Sequence, residues 1–159
     1  MTWFAAKEHC EGIGGNLVEI DSEEENEVLV EEIIRRREYG ILVKNFWIGL
    51  TDFENEGDWR LASNGLNPSF LNWHEDQPDN EDGNEHCARI RILPLSFWED
   101  TWYDIDCNSD TRFPGTPVHA ICEFDPSKEN PSTESSSTAN TTEDTTAEST
   151  TTEGTLTKS

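Results

Sequence analysis

Apolar residues fall at helical spacing in the first part of this chain and at alternating spacing later, and the switch divides it into two kinds of element. Trp3, Phe4, Ala6 and Cys10 share a broad side of a short helix that Thr2 can cap and Gly12 would end. Residues 16–20 alternate and predict a brief extended piece. Ser22 and Glu25 have capping-box spacing, and acids crowd the turn that follows, which suits a helix N-terminus. That second helix is predicted to run to Arg37, with Arg35, Arg36 and Arg37 at its negative end. Val28, Leu29 and Ile33, with Ile34 or Val30, form its buried stripe. After Gly40 the pattern changes. Ile41-Leu42-Val43 and Phe46-Trp47-Ile48-Gly49-Leu50 read as strand material, and strand signals return at 88–93, 98–103 and 119–124.

Between 51 and 83 the chain is rich in Asp, Asn, Glu, Gly and Pro, with Trp59, Phe70, Leu71 and Trp73 as isolated anchors. A loop region of that length is uncommon unless functional. Helices first, then strands and long loops, predict an α+β domain. From Pro126 onward Ser, Thr, Glu and Asn dominate. Such a segment buries too little surface to offset its ordering entropy. It is read as a disordered mucin-like tail over 125–159, with an N-glycosylation sequon at Asn140.

The formal charge of −23 narrows the partners. Phosphate binding needs Lys and Arg, so nucleic acid is excluded, and an anionic membrane surface is disfavoured. No apolar run approaches the ~20 residues of a membrane span, and no signal peptide is visible. Cys10, Cys87, Cys107 and Cys122 form no CxxC pair, which argues against a zinc ribbon or a redox motif. Four well-spaced cysteines suit two disulfides and an extracellular, secreted or cell-surface protein. Three pairings are open.

The candidate chemistry sits in three short runs: Gln77-Pro78-Asp79-Asn80, Glu85-His86-Cys87 and Trp102-Tyr103-Asp104. Carboxylates and side-chain amides on a loop are the donors Ca²⁺ prefers. The predicted site is a Ca²⁺-loaded loop that binds a polar ligand such as a sugar. In the metal-free chain the carboxylates of Glu75, Asp76, Asp79, Glu81, Asp82 and Glu85 would repel one another. His9, His74, His86 and His119 show no zinc-binding spacing and are read as surface or core-edge residues. Trp47, Trp59, Trp73 and Trp102 are read as core anchors. No hydrolase signature is present, so an enzyme is not expected.

Trp3-x-x-Ala6-x-x-x-Cys10, Trp47-Ile48-Gly49-Leu50, Asn72-Trp73, Gln77-Pro78-Asp79, Glu85-x-Cys87, Trp102-x-Asp104-x-x-Cys107 and Cys122 stand in the order of a C-type lectin domain, which the chain resembles over residues 1–124. The resemblance implies two helices, mixed antiparallel sheets, a long loop region and the pairings Cys10–Cys122 and Cys87–Cys107. The family's opening strand is missing, which leads to the expectation of an N-terminally truncated chain. Carried over by position, Gln77, Asp79, Glu85 and Asp104 would hold a Ca²⁺ that also contacts sugar hydroxyls. Asp52, Glu56 and Asn80 would serve a second, structural Ca²⁺, with His86 where the family often has Asp. The Gln-Pro-Asp triplet is similar to galactose-type members, mannose-type members having Glu-Pro-Asn, and Pro78 is expected in the cis form. Tyr103 replaces the family's Asn, and 80–84 holds no aromatic residue to stack on a sugar, which leaves Tyr103 or Trp98 for that role.

Two function classes follow. The first is a Ca²⁺-dependent module for galactose-type glycans, gaining avidity by oligomerisation or clustered ligands. The second is a lectin-like protein-interaction or mineral-associated domain with a degenerate sugar site.

Overall fold

Thr2 accepts a hydrogen bond from the Ala5 amide and starts α1, Trp3–Gly12, as its sequence predicts. The computed structural model describes residues 1–35, 44–92, 101–109 and 117–125. Trp3, Ala6 and Cys10 of α1 are buried, whereas Phe4 lies on the open side with its ring edge against Phe53. The chain turns at Gly14, whose positive φ of 86° suits a residue without Cβ.

β1 is only Asn16–Leu17, and it pairs antiparallel with β7, Cys122–Glu123. Helix α2 spans Glu23–Arg35. Ser22 Oγ accepts from the Glu25 amide, and the Glu25 carboxylate reaches back to the Asp21 amide, one residue beyond the usual capping box. The buried side of α2 differs from the predicted stripe. Val28 is 65% exposed, while Val30 and the polar Asn26 are buried. Asn26 fits because its Oδ1 accepts from Trp102 Nε1 at 3.1 Å, which satisfies two buried polar groups at once.

The main sheet centres on β2, Lys44–Thr51. Its partners are β3 (Arg60–Leu61) and β4 (Glu85–Ile92), both antiparallel, and β6 (Val118–Ala120), parallel. β5, Trp102–Asp106, adds antiparallel to β4. Alternation along these strands feeds two cores. Ile48, Leu50, Ala88, Ile90, Ile92 and Trp102 pack with Val30 of α2. Trp47, Cys87, Ile105 and Val118 pack with Trp3 and Ala6 of α1. Gly49 allows the close approach of the segment after β1: a Cβ there would lie 2.8 Å from the Leu17 carbonyl. Trp47, Trp59 and Trp102 are buried and Trp73 half-buried, whereas Leu71, expected as an anchor, is 46% exposed.

The disulfides are Cys10–Cys122 and Cys87–Cys107. The first closes a span of 112 residues. In the chain-entropy model a loop of about 100 residues contributes about 4.7 kcal/mol. The chain divides into units 1–128 and 129–159. The predicted end of α2 at Arg37, the strand at 41–43, the ends of the strand readings at Leu93 and Trp98, and the tail with Asn140 lie outside the described residues.

Candidate metal centres

Two clusters of ligand atoms converge at one end of the β2–β4–β5 sheet. Both ladders shift register there, between Trp47 and Thr51 on β2 and between Glu85 and Cys87 on β4. Such irregularities re-aim side chains.

The first cluster joins a loop to two strands. Trp102 donates its amide to the Asn72 carbonyl, and the His74 amide returns a bond to the Trp102 carbonyl, stitching the loop onto β5. The loop then turns through Gln77 and a cis Pro78. Gln77 Oε1 accepts from the Asp104 amide at 3.1 Å. The Asp104 carboxylate accepts from the amides of Asp79 (3.2 Å) and Asn80 (2.8 Å). Glu85 Oε2 accepts from the Glu81 amide at 3.1 Å. The result brings carboxylate oxygens of Asp79, Glu85 and Asp104 within 4.8 Å of one another, the last two buried.

Buried carboxylates facing each other need a countercharge. Burial pushes the Asp104 carboxyl above its ordinary range, Asp79 adds to that, and the amides of Asn80 and Asp79 oppose it. A divalent cation would reverse the balance by favouring the ionised form. The side-chain donors are all oxygens: three carboxylates, and beside them the Gln77 amide, whose carbonyl keeps a second lone pair. That set fits calcium.

Two predicted site residues engage other groups of the protein. Tyr103 turns its ring to His74 (4.9 Å between centroids, 24° between planes) and to the guanidinium carbons of Arg89 and Arg91, 5.7 and 5.8 Å away. Strand alternation explains this, since neighbours on a strand face opposite sides. Asn80, expected to give oxygen to a second calcium, gives Oδ1 to the Glu85 amide and donates its Nδ2–H to Glu56. It therefore bridges the two clusters.

The second cluster is Asp52, Glu56 and His86, again within 4.8 Å. The spacing of the histidines had suggested no metal role for His86. Spacing motifs find ligands carried on one element, whereas Asp52 and His86 are 34 residues apart and meet across β2 and β4. A groove of about 660 Å³ runs from Trp3 and Phe4 to Ser63 and Asn64, and the Asp79, Glu85 and Asp104 side chains do not line it.

Comparison with known proteins bears directly on this arrangement. A family model described as "Lectin C-type domain" matches residues 1–124. The "Perlucin-like protein" of Mytilus galloprovincialis is 37% identical over 113 residues, covering 68% of this chain and 64% of that protein. "C-type lectin 16" of Aedes aegypti is 35% identical over 112 residues, 70% of this chain and 72% of its own. Among solved structures, the mouse scavenger receptor C-type lectin carbohydrate-recognition domain matches with a TM-score of 0.53 and 30% identity, covering 68% of this chain and 73% of the other.

Proposed function

We propose, from the premise that this chain belongs to the C-type lectin domain family, that it is an extracellular, Ca²⁺-dependent carbohydrate-binding protein that prefers galactose-type glycans. The carrying observation is the convergence of Asp79 of the loop with Glu85 of β4 and Asp104 of β5, beside Gln77. These four residues would hold the ion, which when bound supplies open coordination positions for vicinal sugar hydroxyls.

The chain's own residues set the selectivity. Carboxylates accept hydrogen bonds, and an amide both donates and accepts. Gln77 and Asp79 place the amide on one side of the loop and the carboxylate on the other. The donor–acceptor layout is the reverse of a Glu-Pro-Asn loop, and so is the preferred diol. A shallow, wet contact gives weak single-site affinity, so avidity would come from an oligomer or from clustered glycans. The acidic Thr-rich segment after residue 125 reads as a glycosylated stalk, with Asn140 as its N-linked site.

Retention on immobilised galactose and mannose, in Ca²⁺ and then in EDTA, tests this reading. The expected result is Ca²⁺-dependent retention on galactose, abolished in Asp104→Ala. A second reading, a lectin-like interaction domain without sugar binding, is favoured by Tyr103, whose ring is engaged with His74 and which offers no amide to the metal. Ca²⁺ binding by calorimetry without retention on either sugar would select it.

A further inference from the structure

We propose that the Asp52–Glu56–His86 cluster takes a borderline transition-metal ion of the Zn²⁺ class in place of the second calcium that this position in the fold implies. The proposal concerns a different cluster from the sugar site and does not rest on that reading.

The donor set decides the class of ion. His86 Nδ1 lies 3.1 Å from Asp52 Oδ1 and 3.4 Å from Glu56 Oε2. Calcium takes about 6–8 oxygen ligands, and an imidazole nitrogen is a poor member of that shell. Zinc takes His nitrogen and carboxylate oxygen at about 2.0–2.2 Å in tetrahedral array, which sets neighbouring ligand atoms roughly 3.3 Å apart. The two observed separations bracket that value.

Calcium is also short of oxygens here. The Asn80 amide presents its Nδ2–H, not its oxygen, to Glu56, while its Oδ1 is turned to the Glu85 amide. Turning the amide over would set oxygen against oxygen at Glu56 and N–H against N–H at Glu85. Asn80 therefore donates to the same Glu56 Oε2 that faces His86, and the cluster offers an ion two carboxylates and one imidazole.

The three ligands are held in place before any metal arrives. The Asp52 amide and Thr51 Oγ1 both donate to the His86 carbonyl, at 3.2 and 2.6 Å, which pins the two ligand-bearing strands together. Asp52 is 2% exposed, and its Oδ2 accepts from the Gly57 amide at 2.7 Å, which leaves Oδ1 for the cluster. The rings of Phe53 and His86 are nearly perpendicular, with centroids 6.1 Å apart. Glu56 is on the solvent side. Oriented ligands of this kind raise metal affinity.

The test is calorimetric titration of the full chain with Zn²⁺ alone and with Ca²⁺ alone, in an Asp104→Asn background that removes the sugar-site cation. The expected result is one equivalent of Zn²⁺, lost in His86→Gln, and no comparable uptake of Ca²⁺. His86→Asp should exchange the preference: Zn²⁺ binding falls and one equivalent of Ca²⁺ is gained, an outcome that a misfolded variant cannot give. Ca²⁺ uptake at this cluster while His86 is present would overturn the proposal. So would Zn²⁺ uptake indifferent to His86, or no uptake at all, which would make the imidazole itself the partner of the two carboxylates. Galactose retention of the parent chain is read separately, so failure of the sugar reading does not enter.

Discussion

Glu123 shows how a single residue couples this fold to pH. Burial beside Glu19, Glu25 and Asp21 pushes its carboxyl up to about 7, although the Glu19 amide hydrogen-bonds to it. The unfolded carboxyl releases its proton near 4.5. Folding therefore takes up a proton between those values, and this group's contribution is full at the acid end and lost as pH rises through about 7. Glu123→Gln should flatten that fall. In EDTA, the drop in Tm between about pH 5 and about pH 8 should shrink by a few degrees against the parent, the half-exposed position limiting the effect. An unchanged drop would mean that the carboxyl titrates normally. Asp104 shares the upward shift by burial, but its amide partners and converging carboxylates set it in the proposed cation site.

At the scale of elements, a buried polar contact within an apolar face holds α2 to the sheet. Asn26 Oδ1 accepts from Trp102 Nε1, and both side chains are buried. Removing the acceptor leaves a buried indole N–H unpaired, which costs roughly 1–3 kcal/mol. Asn26→Ala should lower the urea midpoint accordingly, while Val28→Ala, at an exposed position, should stay within about 0.5 kcal/mol of the parent. Equal effects at the two positions would contradict this assignment of the helix face. The helical period of α2 was legible from its apolar residues, and so were its start at Ser22 and its acidic first turn. Its inward stripe of Leu29, Val30, Ile33 and Ile34 was legible too, whereas the exposure of Val28 and the burial of Asn26 were not. The sequence pattern ranks residues by hydrophobicity, and Asn26 is buried because a partner 76 residues away supplies the hydrogen bond it needs.

Over the whole molecule, the excess of carboxylates predicts that cations stabilise the fold. A chain of net charge −23 repels itself, and the converging carboxylates of Asp79, Glu85 and Asp104 concentrate that repulsion. An ion that binds only the folded chain stabilises it by mass action, about 2.7 kcal/mol at 100 times its Kd. Tm should therefore be higher in millimolar Ca²⁺ than in EDTA at matched ionic strength. Asp104→Asn should lose most of the difference. Equal melting temperatures in the parent would remove calcium from the account of this fold.

The sequence by itself determined the α+β class, the helix starts at Thr2 and Ser22, the β2 strand and the ordered motif that names the family. All of these are local: they depend on residue spacing along one element and on side chains a few positions apart. Family resemblance had implied the grouping of Gln77, Asp79, Glu85 and Asp104 and that of Asp52, Glu56 and His86, whereas the three-dimensional structure alone decided their distances, that Tyr103 faces His74 and that Asn80 bridges the two clusters. It also carries the two cysteine pairings, which composition left open and family resemblance alone had implied. Such arrangements depend on distances between residues brought together by strand pairing and register, and a linear pattern holds no measure of those distances.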